Sequence, residues 1–310
     1  MRTDPVPLEL LPRDLAAYRS GNTGIDWVHR FDSGRPGPHL LVNALTHGNE
    51  FCGMVAATHL LDQGVRPRVG TLTVSFANVE AYASFDAARP FDSRQLVHNM
   101  NRIWSEAWLD GDEDSPELRR ARTLRPVVAA ADHILDLHST SQDVQPFWVY
   151  PGWARNGDAA LAIGRPAVHL VMPQGFGTGT PLVQHGLHGT PGHHGVALVA
   201  ECGQHFRQAT GELAVEVTLD FLAHFGLVER DRSAPAPARR FELLQTWVVQ
   251  DPGFRFTRPL VGFETFDEGE LIATDGGREL RAPCHHCTVL MPTRTPIVGR
   301  EGVYLARPLE

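Results

Sequence analysis

Leu40-Leu41-Val42-Asn43-Ala44-Leu45-Thr46-His47-Gly48-Asn49-Glu50 is the stretch on which the reading of this chain turns. An apolar run ends in a short polar turn that carries a His and a Glu three residues apart. The pattern returns downstream, where Ile134-Leu135-Asp136-Leu137 ends in His138 and Val196-Ala197-Leu198-Val199-Ala200 ends in Glu201. Buried strands that end in polar, ligand-bearing residues are how an open α/β sheet builds a site at one edge. Two His and one Glu around an ion leave a fourth position open for water, the arrangement of a catalytic metal centre.

Working outward, the other runs fit such a sheet. Strands are expected at 40–43, 71–76, 134–137, 147–150, 167–171 and 196–200, with helices at 51–63, 116–131 and 211–225. Met54, Val55, Thr58 and Leu61 give the helix after Glu50 a wide apolar face for packing on the sheet. The alternation predicts an α/β domain with a mainly parallel or mixed sheet flanked by helices. The stretch 176–195, rich in Gly, His, Thr and Pro, reads as a long loop. The Pro/Ala/charge stretch 231–239 reads as a linker. Beyond it, short runs at 246–249, 260–263, 271–274, 288–291 and 303–306 alternate with Gly and Pro turns, so a small all-β C-terminal domain is expected. The boundaries so read are 1–230 for the catalytic domain, 231–239 for the linker and 240–310 for the β domain.

The chain has 310 residues, 42% hydrophobic and 21% charged, with a formal net charge of −8. That composition is of an ordinary globular protein with room for a large core. The acidic balance and the lack of a basic run argue against nucleic-acid binding. All 28 basic residues are Arg. The absence of Lys excludes Schiff-base and P-loop lysine chemistry. No run approaches a membrane span and Met1–Pro7 has no apolar signal core, so a cytoplasmic protein is expected. Cys52, Cys202, Cys284 and Cys287 are expected as free thiols.

The polar residues divide by chemistry. His47, Glu50 and His138 are the candidate metal ligands, one Zn2+ per chain. Asp136 falls on the same side of its strand as His138 and can orient a ligand from behind. Glu201 is the candidate general base, since a carboxylate beside a metal-bound water can take its proton. In Arg94-Gln95-Leu96-Val97-His98-Asn99-Met100-Asn101-Arg102, the two guanidiniums suit carboxylate binding or oxyanion stabilisation, and equally suit a solvated surface loop. His185, His188, His193 and His194 are open to three readings: loop composition, a substrate-facing lid or a second metal site. Cys284-His285-His286-Cys287 has the look of a zinc knuckle, but adjacent His residues point apart on a strand and no second ligand pair follows.

Thr46–Glu50, Ala77-Asn78, Asn99–Ile103, Asp136–Thr140 and Glu201–Gly203, in that order, resemble the succinylglutamate desuccinylase/aspartoacylase family of the zinc carboxypeptidase-like group. Leu290–Pro292 and Tyr304–Arg307 are similar to that family's small β domain. The resemblance implies zinc at His47, Glu50 and His138, with Glu201 activating water. It further implies that Asn101 and Arg102 bind a substrate α-carboxylate and that Arg94 polarises the scissile carbonyl. In aspartoacylase a Tyr and an Arg shortly before the catalytic Glu help hold the acyl group's own carboxylate. The corresponding stretch here, 186–195, has neither, and Arg207 or a residue of the β domain is left to substitute. The expected activity is zinc-dependent removal of an acyl group from a small N-acylated amino acid. A peptide-trimming metallocarboxypeptidase and a non-catalytic zinc-binding sensor are the alternatives. A homo-oligomer is left open.

Overall fold

In the computed structural model, residues 6–173, 178–231 and 236–309 are described. Part of the expected linker, residues 232–235, and Phe176 and Gly177 of the long loop lie outside them.

The strands are β1 (Val28–Asp32), β2 (His39–Ala44), β3 (Thr71–Phe76), β4 (His133–Thr140), β5 (Phe147–Pro151), β6 (Val168–Met172), β7 (Ala197–Gln204), β8 (Arg239–Val248), β9 (Arg255–Phe256), β10 (Thr265–Phe266), β11 (Leu271–Asp275), β12 (Arg278–Arg281), β13 (Cys287–Leu290) and β14 (Glu301–Leu309). The α-helices are α1 (Phe51–Asp62), α2 (Val79–Ala83), α3 (Glu106–Leu109), α4 (Pro116–Ala129), α5 (Ala154–Ile163) and α6 (Gln208–His224).

Among the described residues, eleven strands form one sheet in the order β1-β3-β2-β4-β7-β5-β6-β8-β14-β13-β10. Its centre is parallel, as β2 pairs with β3 and β4, and β4 with β7. β1 and β5 enter antiparallel, to β3 and β7 respectively, so the sheet is mixed. The C-terminal strands are antiparallel to one another, and β8 joins them to the centre by pairing in parallel with β6. β9, β11 and β12 form a separate three-stranded sheet.

Side chains alternate across a strand, so each strand feeds two cores. Leu40, Val42, Leu135, Leu137 and Ala200 pack on one face with Ala57 of α1 and Val217 of α6. Leu41, Ile134, Ala197 and Val199 pack on the other with Leu118, Leu124 and Val128 of α4. Asp136, His138 and Glu201 fall in step with this second set, which places the site on the α4 side. Trp247, Phe254, Ile272, Val289 and Val303 form a third core within the C-terminal strands.

The run 260–263, expected as a strand, is not one. Gly262 and Phe263 take positive φ of 137° and 70°. The N–H groups of Val261 and Gly262 donate to the Glu264 carboxylate instead of a ladder.

Candidate active site

The turn after β2 is made by close backbone approach. Leu45 takes a positive φ of 60° as the chain leaves the strand. A Cβ on Gly48 would stand 2.4 Å from the backbone of Ala81, Tyr82 and Ser93, so only glycine fits. That contact lets the Gly48 N–H donate to the Arg94 carbonyl at 3.0 Å, which brings the arginine loop against the turn. Glu50 occupies the N-cap position of α1 but makes no capping bond with its side chain. Its carboxylate turns into the site, where the positive end of the helix favours the charge.

His47 and His138 face that carboxylate from two sides. His47 Nδ1 lies 2.8 Å from Glu50 Oε1, and His138 Nδ1 lies 2.9 Å from Oε2. Each imidazole gives its other nitrogen to an oxygen: His47 Nε2 to Asn99 Oδ1 at 2.9 Å, His138 Nε2 to Asp136 Oδ2 at 2.8 Å. Asp136 is itself fixed by Asn43 and Thr46, which donate to its other oxygen. All of these groups are buried except Asn99, which is half-buried. Among the described residues, His47, Glu50 and His138 alone bring three ligand atoms within 4.8 Å of one another.

The donor set fits a cation. With Nε2 of each ring bonded to an oxygen acceptor, both Nδ1 lone pairs aim at an anion, an arrangement that needs positive charge between them. Burial alone would raise the Glu50 carboxyl, but the two imidazoles outweigh it and hold it well below the usual range. Burial likewise opposes the charged form of His138, yet Asp136 and Glu50 hold its imidazolium well above the ordinary value. His47 is lowered to about 4 by burial, with Arg94 adding to the effect. A proton on His138 supplies part of the charge that the cradle demands, and a divalent ion would supply all of it.

Glu201 stands beside this cradle. Its Cα is the ladder partner of His138 across β4 and β7. It is 8% exposed, and its Oε2 has no hydrogen-bond partner. Burial pushes its carboxyl up to about 8 against the pull of His138 and Arg94, with Glu50 adding to the rise. Arg94 donates through Nη1 to Glu50 Oε1 at 2.9 Å.

These groups open into one cavity of about 530 Å³, lined also by Asn101 and Arg102. Asn101 Oδ1 accepts from the Leu182 N–H, which leaves Nδ2 to donate toward the cavity. The Arg102 guanidinium is fixed by Glu301 at 2.8 Å from Nε and by the Tyr304 hydroxyl at 3.1 Å from Nη2. All seven candidates read from the sequence therefore meet at one cavity.

Four further residues were not singled out by the sequence. Asn99 orients His47 and also accepts the Asn101 N–H. Glu117 is fully buried in the first turn of α4 and receives the N–H groups of Leu96, Val97 and His98, which fixes the arginine loop. Glu301 pairs with Arg102, and His205 lines the cavity beside Ser139. Asn99 lay inside a recognised block; the other three carry no local signal.

The His-rich loop lies elsewhere. His188 Nε2 meets the Asp132 carbonyl, His194 Nε2 is 3.8 Å from the Asp132 carboxylate, and His193 Nδ1 accepts the Gly195 N–H. These contacts sit where β4 and β7 begin, about 17 Å from His138 at roughly 3.3 Å per strand residue. His185 is buried against Trp104. None of the four lines the cavity. Arg207 pairs with Glu9 and Asp143 at the surface and does not line the cavity. At the CHHC run, His285 meets Glu268, and among the described residues the run gathers no three-ligand cluster.

The chain thus combines a mixed α/β sheet, a His-x-x-Glu turn with a strand-borne His beside it, and an antiparallel β region at the C-terminal end. Residues 36–156 match the model of the succinylglutamate desuccinylase/aspartoacylase catalytic domain. No curated protein matches the chain. Among solved structures it is similar to a succinylglutamate desuccinylase of Vibrio parahaemolyticus, at 17% identity over 92% of this chain and 87% of that one, with a TM-score of 0.70. A succinylglutamate desuccinylase of Vibrio cholerae gives 16% identity, 91% and 86% coverage and a TM-score of 0.71. The product-bound ectoine utilization protein of Ruegeria pomeroyi gives 17%, 94%, 92% and 0.64. At these identities the likeness is one of fold.

Proposed function

We propose that this protein is a zinc-dependent amidohydrolase that removes an acyl group from a small N-acylated amino acid. The observation that carries the reading is the buried, unpartnered Oε2 of Glu201 on the strand beside His138. A buried carboxylate oxygen without a partner is costly unless a reactant supplies one.

Zinc held by His47, Glu50 and His138 would supply Lewis acidity toward water and the scissile carbonyl. Glu201 takes the proton of the attacking water and returns it to the leaving nitrogen. Arg94, anchored on Glu50, stabilises the oxyanion. Asn101 and Arg102 hold the substrate carboxylate, with Glu301 and Tyr304 fixing the plane of the guanidinium. We keep residues 1–230 as the catalytic domain, 231–239 as linker and 240–310 as the β domain. The residues from Met291 to Tyr304 that wall the cavity favour a small substrate over a peptide.

The test is amine release from a panel of N-acetyl, N-succinyl and N-formyl amino acids by zinc-loaded protein, with Glu201→Gln as control. Release that vanishes in the variant supports the assignment. Normal turnover by the variant, or zinc bound without hydrolysis of any amide, overturns it.

A further inference from the structure

Away from the cavity, the turn between β12 and β13 carries two thiols, Cys284 and Cys287, and none of residues 284–287 lines the cavity. His285 and His286 are the central residues of the turn, and His286 takes a positive φ of 53°. The two cysteines are thus its first and last residues. The ends of a β-turn lie within about 7 Å, and a disulfide joins Cα atoms about 4.4–6.8 Å apart. Cys287 is held by the sheet, where it opens β13 and pairs with Phe266 of β10. Cys284 packs against the same C-terminal core that contains Cys287.

The two sulfurs differ in exposure. Cys287 is 0% exposed, whereas Cys284 is half-buried between exposed Pro283 and His285. The Cys287 thiol donates to the Cys284 sulfur, and burial, with Cys284 adding to the effect, pushes Cys287 up to about 12. Cys287 therefore stays a thiol near neutral pH, and a reagent in solution meets Cys284 first. A second thiol pair lies in the core under α1 and α6. Cys52 and Cys202 are also hydrogen-bonded to each other, but they are 0% and 2% exposed. Neither of those sulfurs can meet a molecule the size of a disulfide. One reachable sulfur backed by one enclosed sulfur is the arrangement that thiol–disulfide exchange requires.

We propose that Cys284 and Cys287 form a reversible dithiol–disulfide site whose co-reactant is a low-molecular-weight disulfide, R–S–S–R. The site is independent of the amide chemistry proposed above. The Cys284 sulfur bonds to one sulfur of the co-reactant, the bond between the two co-reactant sulfurs breaks, and the departing sulfur takes the Cys284 proton as RSH. The Cys287 sulfur then bonds to the Cys284 sulfur, the mixed disulfide breaks, and a second RSH leaves with the Cys287 proton. The pair loses two electrons and two protons, and the small disulfide gains both.

The test holds the folded, full-length protein in buffers that run from reduced to oxidised glutathione, blocks the remaining thiols with an alkylating agent and maps the cysteines by mass. A tryptic peptide of residues 282–294 carries both cysteines of the turn and neither of the others. As oxidised glutathione rises, this peptide should become two hydrogens lighter and take up no alkyl group, so that two of the four free thiols are lost. Dithiothreitol should restore both. Cys287→Ala should retain one glutathione on Cys284, because the sulfur that expels it is gone, and Cys284→Ala should retain none on Cys287. Full alkylation of the peptide across the series overturns the proposal, as does oxidation of Cys52 and Cys202 at the same or a milder ratio. So does protection of the turn thiols that a chelator reverses and a reductant does not, which would make the run a metal site. Should either variant fail to fold, the wild-type peptide decides alone.

Discussion

At the scale of single residues, the site rests on groups whose chemistry is visible in their type. His47, His138 and Glu201 could be read because each comes at the end of an apolar run with a side chain able to bind metal or move protons, Glu50 because it stands three residues after His47, and Asp136 because it shares a side of its strand with His138. Replacing Glu201 by Gln should lower kcat about 10²- to 10⁴-fold, the usual worth of general acid–base help, with bound zinc unchanged by elemental analysis. Asp136 is behind the site, 2.8 Å from His138 Nε2. Asp136→Asn should weaken zinc binding about 10- to 100-fold in a chelator competition, with the fold retained. An unchanged affinity would show that the ring is oriented by packing alone. Asn99, Glu117, His205 and Glu301 were not legible, because their importance lies in partners far along the chain. His47 and Asn99 are 52 residues apart, and Arg102 and Glu301 are 199 apart.

At the scale of elements, legibility followed burial. β3 is buried along its whole length and was read with its bounds as found, 71–76. β1 and α5 were missed. β1 is half-exposed, and α5 is a short helix of mostly small residues whose apolar positions carry little periodic signal. The arginine loop shows how one element holds another. Glu117 enters through the first turn of α4, capped by Ser115, and gathers the N–H groups of residues 96–98. Glu117→Gln keeps the shape but removes the charge and half of the acceptor capacity. The expected cost is about 1–3 kcal/mol in urea denaturation. Amide exchange should quicken in residues 94–102 above all, and KM should rise more than kcat falls. Uniform loss of protection across the sheet would place the effect in the core instead.

At the scale of the molecule, the sequence indicated an α/β body and a β region but not how they join. The joint is a ladder: β8 pairs with β6, and β14 lies against β8. Strand pairing over such separations leaves no local trace in composition. Glu301 reports on this joint through acid stability. Burial would raise its carboxyl, but Arg102 and Thr178 outweigh that and hold it at about 2. A depressed carboxyl stabilises the fold above its unfolded pKa and loses that contribution as pH falls toward the folded value. Glu301→Gln should therefore cost up to about 3 kcal/mol at pH 7. In urea titrations the gap from wild type should hold down to about pH 4.5 and narrow below it. A gap independent of pH would show that the ion pair is not its source. The same ladder has a temporal meaning. His47, Glu50, His138 and Glu201 are in place once β2, β4 and β7 have paired, whereas Tyr304 and Glu301 arrive only with β14. During synthesis the cradle of His47, Glu50 and His138 can form early, and the wall that holds Arg102 closes last.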